Sequence, residues 1–296
     1  MISISPEKRT IMQTKSKRFQ SRPRTFRAMT GLSKEKYNEL LQELLPLYEK
    51  SEVKRLSNSK RQRKIGGGRK KELLLEDQLM MLLMYYRLYI SQEFLGIIFN
   101  LHNCNVSRQI NYLEPLLSQI FRIPTKKVSL SEAELTKDEI ISFFVDATEQ
   151  QIERPKKRQS GYYSGKKKKH TLKNQIITDT KGKIRAVTKS VPGKKHDKKL
   201  FDETRSILPK NSDLTGDLGY YGASGITLPN KKPKGKKLTK EEKQFNKELS
   251  KQRITVEHSF GKMKIYQILS QRFRNPRNKH SLIFKNIAGL HNLMFA

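Results

Sequence analysis

EIISFFVDAT, residues 139–148, is the point at which the chain changes its period. The run is continuously apolar up to Asp146 and rich in Phe, Ile and Val, which predicts a strand buried on both faces. Downstream, HTLKNQIITDTKGKIRAVTKSVPG (170–193) holds two β-branched runs joined by Asp-Thr-Lys-Gly, the pattern of a hairpin. HDKKLFDETRSIL (196–208) has helical spacing, SDLTGD (212–217) and GITLPN (225–230) read as short strands, and 238–269 reads as one long helix, broken near Ile265. The order strand, hairpin, helix, strand, strand, helix predicts a mixed α/β domain over 138–296.

Upstream of residue 138 the spacing is helical. LLLEDQLMMLLMYYRLYI (73–90) is apolar enough for a buried helix, and GLSKEKYNELLQELLPLYEK (31–50) reads as a helix with Ser33 as N-cap. SQEFLGIIF (91–99) opens a second short helix at Ser91, NLHNCN (100–105) interrupts it, and VSRQINYLEPLLSQIF (106–121) resumes. This places a helix-turn-helix at about 91–121 inside an all-α domain of 31–125. In such a motif the second helix enters the major groove, which makes Ser107, Arg108, Gln109 and Asn111 the candidate base readers: Arg suits guanine, and Gln or Asn suits adenine. A plain three-helix bundle has the same pattern. Residues 1–30 carry eight basic residues and one acid without a period, and are expected to be a flexible basic arm. KRLSNSKRQRKIGGGRKK (54–71) reads as a flexible basic linker.

The 296 residues carry 62 Lys and Arg against 28 Asp and Glu, a net charge of +34. Such a charge predicts an anionic partner, with nucleic acid first. The longest apolar run, residues 79–86, is far short of the about 20 residues that span a bilayer. A single cysteine, Cys104, excludes an internal disulfide and a cysteine-rich zinc site, and points to an intracellular, cytoplasmic chain.

Against this basic background three acids stand apart. Asp146 ends the first strand, Asp217 ends the fourth in LTGDLG, and Glu257 is the only acid in 249–296, a segment with nine Lys or Arg. Carboxylates at strand ends suit Mg²⁺ or Mn²⁺, and two such ions about 3.5–4 Å apart can serve phosphoryl transfer. At helical spacing Arg253 and Lys264 share one stripe with Glu257, where they could hold phosphates. The plainer alternatives are a turn cap at Asp146, an Asx-turn at Asp217 and an exposed Arg253–Glu257 pair. Gly216 and Gly219 are expected to let the backbone turn beside Asp217. The pair His196–Asp197 reads as a helix cap rather than as a metal pair. Arg158 and Lys166, Lys167, Lys168 and Lys169, interleaved with Tyr162 and Tyr163, form a candidate phosphate- and base-contacting surface.

FFVDATEQQIERP, YYSGKKKKHTLKNQIITDTKGKI, VPGKKHD, TGDLGYYG and ITVEHSFGKMK follow one another in this order. In these motifs the chain, over roughly 73–296, resembles the DDE transposases of the insertion-sequence-five superfamily, bacterial relatives of the Harbinger transposases. The resemblance implies an RNase H-like catalytic domain in which Asp146, Asp217 and Glu257 are catalytic acids that bind divalent metal, preceded by the helix-turn-helix. It also implies cleavage and strand transfer on double-stranded DNA at terminal inverted repeats, a homodimer or larger assembly, and a place at the bacterial nucleoid. The related signature of Tyr, Arg, Glu and Lys is met by Arg253, Glu257 and Lys264, but Ser250 stands at the tyrosine position. A domesticated DNA-binding protein, or a nuclease of this fold without strand joining, remains compatible with the same residues.

Overall fold

A computed structural model describes residues 15–57, 73–128, 130, 140–204, 208–235 and 237–294. The chain divides into two compact units: Met1–Tyr85 with Ile90–Leu113, and Tyr86–Tyr89 with Glu114–Ala296.

The first unit is helical. Helix α1 spans Lys15–Gln20, α2 Pro23–Thr30 and α3 Lys34–Leu56. Residues 15–30, expected within a flexible arm, are thus ordered in two helices. Phe26 and Tyr37, both fully buried, pack edge to face with centroids 5.1 Å apart. The Ser16 N–H donates to Asp77 at 2.7 Å. Helix α2 is one-sided, with Phe26 and Thr30 buried one turn apart, and burial of the two aromatic rings offsets the cost of ordering a short basic helix. Ser33 caps α3 by accepting from the Lys36 N–H. The expected linker of 54–71 lies mostly outside the described residues, although its first residues complete α3.

Helix α4 (Leu75–Leu88) is followed by α5 (Gln92–Phe99) and α6 (Asn103–Phe121). Ser91 caps α5 as expected. The turn is shorter than the sequence suggests, because Asn100 takes a left-handed conformation (φ 55°) and α6 already starts at Asn103. Gly96 permits this turn: a Cβ there would lie 2.5 Å from the Leu101 carbonyl oxygen. Asn103 donates to Glu93 at 2.6 Å across the turn.

The second unit is built on a six-stranded sheet. Strand β1 is Ile141–Gln151; the short helix α7 (Gln159–Tyr162) leads into β2 (Tyr163–Ser164). Then come β3 (Lys169–Asp179), β4 (Ile184–Val187), β5 (Val191–Pro192), α8 (Asp197–Thr204) and β6 (Ser212–Thr215). The order is β2-β3-β1-β6, with β4 and β5 also pairing β3. β1 runs antiparallel to β3 and parallel to β6. The β3–β4 hairpin turns at Gly182 (φ 86°), and Asp179 Oδ1 accepts from the Lys181 and Lys183 N–H groups. The stretch 225–230 does not form the expected strand; only an isolated bridge joins Thr227 to Thr215.

After the lysine-rich loop come α9 (Lys240–Lys264), α10 (Gln267–Ser270) and α11 (His280–Leu293). A capping box between Thr239 and Glu242 starts α9, and it ends at Ile265, as the sequence suggests. Ser259 of α9 donates to the Gly182 carbonyl at 2.9 Å, and His291 of α11 lies 2.9 Å from the same oxygen. Both long helices are therefore pinned to the hairpin turn. Phe143, Val145, Ile177, Ala186, Phe201, Leu214 and Tyr220 form a core between the sheet and α8.

Candidate active site

The position of Asp146 follows from strand alternation. Phe143 and Val145 point into the core with Leu214 and Phe201, so Asp146 projects to the other face, that of Gln150. Strand β1 continues to Gln151, so Asp146 lies in mid-strand and not at its end as expected. The end that matters is that of β6. Its last pair with β1 is Phe144 with Thr215. Two residues further along both chains stand Asp146 and Asp217. The partner strand stops there and leaves an opening at the carboxyl end of β6, beside the middle of β1, and carboxyl strand ends are where ligand crevices of open α/β sheets form.

Asp217 caps a 3₁₀ turn, Leu218–Tyr220, and accepts from the Gly219 N–H at 2.9 Å. The glycines beside it do not act as turn formers; neither Gly216 nor Gly219 has a positive φ. They allow close approach instead. A Cβ on Gly219 would lie 2.9 Å from Asp217 Oδ1 and 3.0 Å from Asp197 Oδ2, and one on Gly216 would press on Val145, Tyr220 and Ile226 at 3.1–3.2 Å.

Burial pushes the Asp146 carboxyl up to about 6; its hydrogen bond from the Ala147 N–H opposes this, Asp217 and Asp197 add to it, and Arg253 lowers it. Asp146 therefore sits in the field of two other acids and one arginine. Below them Tyr220 is fully buried, and its hydroxyl has no hydrogen-bond partner among the described residues. The Arg253 Nε is likewise buried and unpartnered. Asp146, Glu257 and Lys264 line one cleft of about 360 Å³, together with Lys166, Lys167 and Asp197. Burial lowers the Lys264 ammonium, Lys167 lowers it further, and Asp146 raises it. Among the described residues Arg253 and Glu257 form no ion pair, so the exposed-pair alternative does not hold.

These features can be set beside known proteins. Residues 145–292 match the family described as DDE superfamily endonuclease, and 71–123 match its helix-turn-helix. A probable transposase for insertion sequence element IS702 of Microchaete diplosiphon is 33% identical over 279 residues, covering 92% of this chain and 95% of the relative. The chain belongs to the DDE superfamily of endonucleases. A putative transposase for insertion sequence element IS112 of Streptomyces albus G is 24% identical over 212 residues, covering 71% and 76% of the two chains. No solved structure matches at a significant level.

The endonuclease match spans Asp146, Asp217 and Glu257. Among the described residues no three His, Cys, Asp or Glu side chains converge closely enough to hold an ion as they stand. The donor chemistry nevertheless fits a hard divalent cation. The ligands on offer are carboxylate oxygens, and the orphaned Tyr220 hydroxyl can donate to a carboxylate or to a water of the ion's shell.

Sequence reasoning missed a second group. Lys173 of β3, with its side chain buried, contacts Asp197 at 2.8 Å, Glu149 at 3.4 Å and the Lys195 carbonyl at 2.6 Å. Asp197 is thus the first residue of α8 and an ion-pair partner, not the expected N-cap. The only available signal was the His-Asp pair at the end of VPGKKHD.

The remaining expected residues are dispersed. Lys166 and Lys167 line the cleft. Lys168 occupies a left-handed turn position, φ 54°, Lys169 starts β3, and Arg158 precedes α7 at φ 55°. In the helical unit Arg108 and Asn111 are exposed and Ser107 and Gln109 half-buried. They lie in the second and third turns of α6 rather than at its first residues, since α6 begins at Asn103. Arg108 donates to Asn105 at 2.8 Å. No described helix is long and apolar enough to cross a membrane.

Proposed function

We propose that the chain is a DNA transposase of the insertion-sequence-five type, with an RNase H-like catalytic domain, that acts on the terminal inverted repeats of its own element. The observation that carries this reading is the juxtaposition of Asp146 and Asp217 where β6 stops, with Glu257 lining the same cleft as Asp146. Asp146, Asp217 and Glu257 would hold Mg²⁺ or Mn²⁺, as two ions. When bound, such ions stabilise charge on the attacking and leaving oxygens of an in-line displacement at phosphorus.

The protein's own residues supply the rest. Lys166, Lys167 and Lys264 face the cleft and would bind non-bridging phosphate oxygens, which orients the scissile phosphodiester. Arg253 balances the negative charge around Asp146. Hydrolysis would free a 3′-hydroxyl at each end, and that hydroxyl would attack target DNA at the same site. Ser107, Arg108, Gln109 and Asn111 would read bases in the major groove, and the many cations would hold phosphates. Both ends must be processed together, so we infer a homodimer or larger assembly on DNA, in the cytoplasm at the nucleoid.

Strand joining is the decisive step for the name transposase. Incubating the protein and Mg²⁺ with a duplex carrying the element's end and a supercoiled plasmid should give end–plasmid joints. Cleaved ends without joints would leave only an endonuclease.

A further inference from the structure

Beside the carboxylate cleft lies a second cavity, of about 890 Å³. Glu149, Lys166, Lys173 and Asp197 line both, so the two spaces share a wall. We propose that this cavity receives a single unpaired nucleotide of the bound DNA strand, displaced from the duplex next to the phosphate under attack. This rests on the DNA-processing reading above.

The volume falls in the range of small-molecule sites, the scale of one nucleotide. Its lining has the three kinds of group a nucleotide needs. Arg154, Lys166 and Lys194 supply positive charge for the phosphates. The buried Lys173 is paired with both Glu149 and Asp197 and offsets one of their two negative charges, and the three cations outweigh the one that is left. Tyr163 supplies an aromatic surface. It is 42% exposed yet held in place by His170 at 5.6 Å, nearly edge to face at 73°. A base stacks on such a ring whatever its sequence. Gln159 supplies polarity for a base edge. Its Oε1 accepts from Arg154 at 2.8 Å, which fixes the amide and leaves its N–H groups to donate.

Backbone packing keeps the cavity open. Gly193 lies against Thr171, whose Oγ1 would be 1.7 Å from a Cβ at that position. The β5 end is therefore drawn tightly onto β3, away from the space that Tyr163 borders. Thr171 donates to Glu149 at 2.8 Å, which further fixes the wall shared with the cleft.

The test uses the full chain and two duplexes of one sequence, one fully paired and one with a single unpaired adenine, with affinity measured by fluorescence anisotropy. The unpaired nucleotide should strengthen binding about tenfold, the size of one base–aromatic contact. Tyr163→Ala should abolish that preference, read as the ratio of the two affinities, whereas Tyr163→Phe should keep it. Should Tyr163→Ala melt earlier than the parent, the exposed Arg154→Ala provides the same comparison. Equal affinity for both duplexes, or a preference that survives Tyr163→Ala and Arg154→Ala, would overturn the cavity assignment alone. Failure to bind either duplex would overturn the DNA-processing reading with it. Free dAMP serves as a third probe: saturation by dAMP at micromolar concentration, without any bulge preference, would assign the cavity to a free nucleotide instead.

Discussion

Asp146 and Asp217 come from positions 71 residues apart in the chain, and the parallel register of β1 with β6 brings them alongside each other. Gly219 sets how closely the acidic groups approach, since there is room for hydrogen but not for a methyl between Asp217 and Asp197. Gly219→Ala should therefore displace one or both carboxylates. The expected result is a fall in DNA cleavage on the order of 10- to 100-fold, the scale of a small misplacement of catalytic groups. The melting temperature should barely move, because Gly219 is exposed. Parallel cleavage assays and thermal melts check this. At this scale the sequence was partly legible. Asp146, Asp217 and Glu257 stood out because acids are scarce around them. Lys173 did not, because a lysine within a strand normally points to solvent, and only the fold places two carboxylates around it.

At the scale of elements, caps and hairpin turns were legible because they depend on neighbours in sequence: Ser33, Ser91, and the Asp179–Gly182 turn all behave as local chemistry dictates. What tertiary packing decides was not legible. The helices of 15–30 are only six and eight residues long in a basic stretch, too short for their period to stand out, and the stretch 225–230 looked like a strand but makes only one bridge. The α5–α6 turn depends on one missing methyl. Gly96→Ala would put a Cβ 2.5 Å from the Leu101 carbonyl, and should destabilise the helical unit by about 1–3 kcal/mol, the usual cost of overpacking. Chemical denaturation measures it, and loss of DNA affinity should accompany it.

The start of α11 carries a pH dependence. His280 is buried, with Nε2 2.8 Å from Gln150 Oε1 and Nδ1 2.7 Å from Ser190 Oγ. The Gln150 amide nitrogen donates to the Ile268 and Gln271 carbonyls, so its Oε1 accepts, and Nε2 carries the imidazole proton. Burial lowers the imidazole from 6.5 to about 4. Between these values the unfolded chain binds a proton that the folded chain refuses. This contribution to stability is complete above pH 6.5 and is lost as pH falls toward 4, by up to about 3 kcal/mol. Urea midpoints measured across that range should fall with pH in the parent and fall less steeply in His280→Gln.

For the whole molecule, the charge of +34 is the dominant quantity. It predicts a polyanionic partner and leaves the chemistry open. Binding to any duplex should weaken linearly in log–log coordinates as salt rises, with a slope of about −0.9 per phosphate neutralised. Arg108→Ala should lower affinity for the element's end more than for unrelated duplex, because a base-reading arginine is worth about 1–3 kcal/mol of discrimination. Competition binding at fixed salt separates the two effects.

Asp146, Asp217 and Glu257 are proposed to perform the chemistry while other parts of the chain hold the DNA. Asp217→Asn tests this most directly, with binding and Mg²⁺-dependent cleavage of one end-bearing duplex measured side by side. The variant should bind as the parent does and leave the strand uncut. Cleavage at the parental rate, or loss of binding together with loss of cleavage, would contradict that assignment.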